Sequence, residues 1–154
     1  MPSKSTDNAQ AALTGSLNAL LADLFALYLK TKNFHWHVRG PRFRDLHLLF
    51  DEQATEIFAL TDLVAERVRK NGAVTLTSIQ AVGTASRIAP QDDATLDAEA
   101  MIAELAADNR QLIGWLRETK AAASAAGDNA TDGAIDDWTD QAEQRAWFLE
   151  SLLA

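Results

Sequence analysis

Arg42–Gly72 reads RFRDLHLLFDEQATEIFALTDLVAERVRKNG. Placed on a helix at about 100° per residue with Phe50 at zero, Leu46, Phe50, Ile57, Leu60 and Val64 gather between about −80° and 0°. That single apolar seam predicts an amphipathic helix from about Arg42 to Lys70, stopped by Asn71 and Gly72. His47, Asp51, Asp62 and Glu66 fall between about 60° and 160°, off the seam, and Leu48, Ala54, Phe58 and Ala65 share their sector. A face that mixes apolar groups with carboxylates is expected to be a contact surface rather than a fully solvated one.

His47 and Asp51 sit one helical turn apart, and Asp62 and Glu66 repeat that spacing fifteen residues later. A helix rises 1.5 Å per residue, so about 22 Å of axis separates His47 from Asp62, whereas the ions of a di-metal centre lie about 4 Å apart. One helix cannot fold both halves onto one centre. Two copies, antiparallel across a two-fold axis, would set each HxxxD pair against the other copy's DxxxE pair and build two equivalent sites at the interface. Acidic residues four apart on an exposed helix are ordinarily solvation, and each pair alone reads that way. The chain has only three histidines, which weighs toward metal. A solvated face and a divided metal site both stand at this level.

Working outward, Leu13, Leu17, Leu20, Leu24 and Leu27 step by four and three, predicting a first helix from about Asp7 to His37, ended by Gly40 and Pro41. A third is expected from about Asp93 to Ala126, with Asp92 and Asp93 at its start, Gly127 at its end and Ile102, Leu105, Leu112 and Leu116 as its stripe. Ile135, Trp138, Ala142, Ala146, Leu149 and Leu153 mark a fourth, capped by Thr131 or Asp132. Short connections make helices one and two, and three and four, antiparallel neighbours. The long link between the second and third is enough to cross the bundle and is expected to carry a short helix around Thr77–Thr84. The fold class is therefore all-α: a ferritin-like four-helix bundle with one long crossover holding a short extra helix, in a single domain over residues 1–154 with 1–6 flexible.

At 154 residues the chain can bury a self-sufficient core. Cysteine is absent, which excludes disulfides, thiolate metal sites and cysteine nucleophiles. No basic leader and no apolar run of about 18 residues is visible after Met1, so neither signal peptide nor membrane span is expected, and the location is expected to be cytoplasmic, with nucleoid association open. The formal charge of −8 repels polyphosphates and anionic membranes and attracts cations. A di-iron site inside the bundle would need Glu-x-x-His motifs. Lys32, Phe34 and Arg44 stand three before His35, His37 and His47, so that site is excluded and the divided one is the available candidate.

The run Lys32–Gly72, KNFHWHVRGPRFRDLHLLFDEQATEIFALTDLVAERVRKNG, resembles the Dps family, the miniferritins named as DNA-binding proteins from starved cells. The family pattern is an HW pair followed by a basic residue and Gly, a His twelve residues after the first, then Asp, Asp and Glu at fixed offsets. His35, His47, Asp51, Asp62 and Glu66 occupy all five positions, and WFLE at Trp147–Glu150 extends the likeness toward the C-terminus.

The resemblance implies a hollow homododecamer that oxidises Fe(II), with hydrogen peroxide as the usual oxidant, stores ferric mineral and so protects DNA. It implies that His35, His47 and Asp51 come from one subunit and Asp62 and Glu66 from its two-fold partner, together holding iron, with Zn or Mn as substitutes. Imidazole and carboxylate suit Fe(II), and carboxylates stabilise Fe(III). Trp36 reads first as packing; the resemblance adds a role as electron or radical donor beside the irons. His37, about 200° beyond His35, is expected at a surface or interface rather than on the same ion. By family analogy Asp132 and Asp136 are expected to line an iron-entry pore, although acids at a helix start also serve its dipole. Direct DNA binding is not expected: the first ten residues hold only Lys4, opposed by Asp7, and twelve subunits would carry a formal charge of about −96. A non-redox metal-buffering shell and a purely structural helical scaffold remain the other readings.

Overall fold

The computed structural model describes residues 3–154, which form five helices and, among the described residues, no strand. In chain order these are α1 (Lys4–His37), α2 (Phe43–Lys70), α3 (Ile79–Ala85), α4 (Ala98–Ala125) and α5 (Asn129–Ser151). α1 packs on α2 and α4, α4 on α5, and α2 meets α5, which closes the ferritin-like four-helix arrangement; α3 lies in the crossover against α1.

Burial explains α1. Its five stripe leucines are all buried, each worth about 2 kcal/mol of transfer from water, against the few tenths by which helix propensities differ. The same leucines make α1 apolar and long enough to cross a membrane by length and composition. That revises the expectation of no such segment. Thr14, Ser16, Asn18 and Asp23 interrupt the run residue by residue, and its apolar stripe faces the bundle core. The helix begins at Lys4, earlier than Asp7, because the Ser3 hydroxyl accepts the Thr6 N–H. Of the segment 1–6 expected to be flexible, residues 1 and 2 lie outside the described residues, and the rest forms this cap and first turn.

α2 matches its predicted span, with Leu46, Phe50, Ile57, Leu60 and Val64 all buried. Gly72, at φ 80°, ends it: its N–H reaches the Arg69 carbonyl and the Ala73 N–H reaches Val68, a closure that needs a residue without Cβ. α4 ends the same way at Gly127.

Two helix starts differ from expectation. α4 begins at Ala98, not Asp93. The Asp93 carboxylate accepts the N–H and hydroxyl of Thr95, two residues on, which closes a turn instead of a helix, and Asp97 caps by accepting from Ala100 at 2.8 Å. α5 is capped by Asp128 rather than Thr131 or Asp132: Thr131 is the buried residue whose N–H and hydroxyl Asp128 accepts. Arg67 of α2 and Asn71, just past its end, also donate to that carboxylate, at 2.9 Å each. Burial pushes the Asp128 carboxyl upward, but the hydrogen bonds from Thr131, Asn71 and Arg67 outweigh it and hold the group well below the usual carboxylate range.

Further charged ties cross the interior. Arg145, only 1% exposed, donates to Glu56 of α2 at 2.7 Å and Asn109 of α4 at 2.9 Å. Asp23, fully buried on α1, accepts the backbone and guanidinium of Arg87, whose guanidinium also lies over Trp115, and this fastens the far end of the crossover to the bundle. Lys30 joins α1 to Glu104 and Asp108 of α4.

Candidate metal centre

Antiparallel packing brings the end of α1 beside the start of α2, so His35 and His47 meet. Their rings stack with centroids 3.8 Å apart and 14° between planes, and Phe43 extends the stack at 5.0 Å from His47. The His35 Nδ1 lies 2.6 Å from the His47 carbonyl, and the His47 Nδ1 lies 2.7 Å from the His35 carbonyl. A carbonyl can only accept, so each Nδ1 carries the proton. In the neutral rings the lone pair is therefore on Nε2, the atom left free for a metal. The main chains of α1 and α2 thus orient both imidazoles in advance, as outer hydrogen bonds do for metal-ligating histidines.

Asp51 joins from one turn further along α2, its Oδ1 3.8 Å from the His35 Nε2. With metal–ligand bonds of about 2.1 Å, an ion fits between that nitrogen and that oxygen. The Lys32 ammonium is 2.7 Å from the same Oδ1 and holds the Asp51 carboxyl below its usual range. Lys32 was not singled out in the sequence. A signal existed: antiparallel helices that set residue 35 against 47 also set 32 against 50 and 51.

Asp62 and Glu66 do not join this group. Both are exposed on α2, and Glu66 only approaches Lys70, at 3.8 Å. Because α2 is one unbroken helix, the separation of about 22 Å expected from the rise holds. Among the described residues, no three His, Asp or Glu side chains of one subunit gather closely enough to hold an ion. The surrounding face is apolar as expected, with Leu48 and Phe58 about half exposed and Phe58 packed on Tyr28 at 5.0 Å. Ala54 is the exception: at the edge of the sector, it is fully buried within the subunit. A hollow of about 480 Å³ lined by Leu21, Phe25, Phe58, Asp62 and Ala65 opens on this side.

A Ferritin-like domain family model matches residues 15–154. Among curated proteins, the chain is 34% identical over 137 residues to the DNA protection during starvation protein of Brevibacillus brevis, covering 89% of this chain and 91% of that one. The chain belongs to the Dps family. It is also 32% identical over 152 residues to an uncharacterized low temperature-induced protein of Nostoc, covering 96% and 83% of the two chains. The crystal structure of Dps from Thermosynechococcus elongatus superposes with TM-score 0.95 at 29% identity, over 98% of this chain and 96% of that one. That of a Dps protein from Vibrio cholerae, described as a member of a broad superfamily of ferritin-like diiron-carboxylate proteins, gives 0.90 at 26% over 96% and 92%.

The remaining candidates are placed as follows in this Dps-family chain. Trp36 is 57% exposed, and His37, also exposed, turns its Nδ1–H onto the Asn33 carbonyl at 2.9 Å. Asp132 and Asp136 lie side by side on α5, but the Lys120 ammonium bridges them, 2.9 Å from Asp136 and in direct contact with Asp132. Both acids raise the lysine above its ordinary range.

Proposed function

We propose that this protein is an iron-storage and detoxification ferroxidase, with di-iron sites divided between subunits of a hollow homododecamer. The carrying observation is the His35–His47 pair, each Nδ1 tied to a main-chain carbonyl so that Nε2 is free, with the Asp51 carboxylate 3.8 Å from the His35 Nε2, a donor set that needs further ligands from a second subunit to hold an ion. In this reading His35, His47 and Asp51 bind Fe(II) from one subunit, and Asp62 and Glu66 of a second copy complete the site. The Asp62-lined hollow and the apolar face around Phe58 suit an antiparallel second copy of α2.

The donor set fits the substrate. Neutral imidazole and carboxylate are the ligands Fe(II) favours, and the additional carboxylates stabilise Fe(III) as it forms. Five side chains leave open positions for oxidant and water. Hydrogen peroxide takes one electron from each of two Fe(II), giving two Fe(III) and two hydroxide ions without releasing a radical. Removing both reagents of hydroxyl-radical chemistry protects DNA without contact with it, in keeping with a charge of −8 per subunit. Trp36 would supply an electron when oxidation outruns iron delivery.

Anaerobic Fe(II) titration followed by stopped-flow mixing with peroxide or oxygen tests this, with His47→Ala alongside. Saturable binding near one or two irons per subunit, rapid peroxide consumption and loss of both in the variant are expected. Binding without oxidation would leave a metal-buffering shell, and absence of saturable binding would reduce the carboxylates to a solvated face.

A further inference from the structure

We propose that Lys32 is a resident competitor for the metal: its ammonium occupies Asp51 until an incoming divalent ion displaces it, which raises the Fe(II) concentration at which the half-site loads. The inference rests on the divided centre and concerns how that centre discriminates between scarce and abundant iron.

One atom carries it. The Asp51 Oδ1 that lies 3.8 Å from the His35 Nε2 is the same oxygen that receives the Lys32 ammonium at 2.7 Å. An ion placed about 2.1 Å from both the nitrogen and the oxygen would have the ammonium within a few ångströms, held on a shared carboxylate. A divalent ion and an ammonium repel at that distance, an effect that water reaching the 45% exposed Asp51 carboxylate lessens but the 20% exposed Lys32 side chain partly preserves. Lys32 has a flexible stem and, among the described residues, no second carboxylate or carbonyl partner. Its ammonium already lies over the Trp36 ring, 6.0 Å from the centroid, so on losing Asp51 it keeps an aromatic face one turn along α1.

The contact also ties α1 to α2, but His35 and His47 already do so through two main-chain hydrogen bonds and a ring stack. A brace would be redundant there. A competing cation would not, because it alone changes what the metal must displace.

The experiment is calorimetric titration of the assembled protein with Co(II), which binds the same donors without being oxidised by air, in wild type, Lys32→Met and Lys32→Arg. Lys32→Met keeps most of the stem and removes the charge. Its Co(II) affinity is expected to rise about tenfold, while Lys32→Arg stays within about threefold of wild type. Lys32→Gln replaces Lys32→Met if the latter does not assemble. Equal or weaker Co(II) binding in the uncharged variant overturns the proposal. The underlying centre is read separately in Asp51→Asn. Binding abolished there but indifferent to Lys32→Met refutes only the competing ammonium; binding indifferent to Asp51→Asn refutes both.

Discussion

Co-expressing two inactive variants tests whether the centre is divided. His47→Ala removes a ligand from one half, and Asp62→Asn with Glu66→Gln removes the other half. Each variant alone is expected to lose nearly all peroxide-dependent Fe(II) oxidation. Random mixing at equal amounts makes about half of all two-fold pairs mixed. In a mixed pair, one site receives both damaged halves and the other receives both intact halves. Half of the sites in half of the pairs are then whole, so about a quarter of wild-type activity should return. The premise is that α2 is continuous from Phe43 to Lys70, which leaves His47 about 22 Å along the axis from Asp62 of its own subunit. The assay is stopped-flow iron oxidation on doubly tagged, co-purified assemblies, with Fe(II) stoichiometry as a second readout. If all five residues served a site within one subunit, every subunit in the mixture would carry a lesion and no activity would return. That result would refute the division.

Three further outcomes follow from named contacts. Arg145→Ala should cost about 3–5 kcal/mol by chemical denaturation, since it leaves Glu56 and the buried Asn109 without their partner and opens a cavity; a loss below about 1 kcal/mol would refute a stabilising role for that network. The Asp128 carboxyl is held below its unfolded value of 3.8, so its contribution is fully present above that value and is lost as pH falls through the lower folded value. Acid unfolding of Asp128→Asn below about pH 4 should therefore be shallower than that of wild type, and identical pH profiles would contradict this. If Asp132 and Asp136 guide iron into the shell, replacing both with Asn should slow initial uptake severalfold while Co(II) binding at His35, His47 and Asp51 is unchanged. Unchanged uptake rates would remove them from the entry path and leave them as partners of Lys120.

How far the sequence reached depended on the range of the interactions involved. Helix identity and order were legible because leucines at steps of three and four can bury together only on a helix, and because Gly72 and Gly127 mark ends that need positive φ. The start of α4 was misplaced: an aspartate can close a turn or cap a helix equally well, and only the position of the next N–H settles which. Asp93 took the first role and Asp97 the second. Four candidate ligands, His47, Asp51, Asp62 and Glu66, were legible by residue type and spacing, His35 came only with the resemblance to the Dps family, and the failure of the two pairs to gather in one subunit follows from the rise of a single helix.

Helical order, the apolar seam and the separation of His47 and Asp51 from Asp62 and Glu66 could all be read from the chain, since each depends on the local periodicity of the backbone. The orientation of the two imidazoles, the Lys32 ammonium resting on Asp51 and the pairing of Asp132 and Asp136 with Lys120 could not. Those contacts arise where separate helices meet, and their geometry depends on rotamers and on the angular setting of one helix against another.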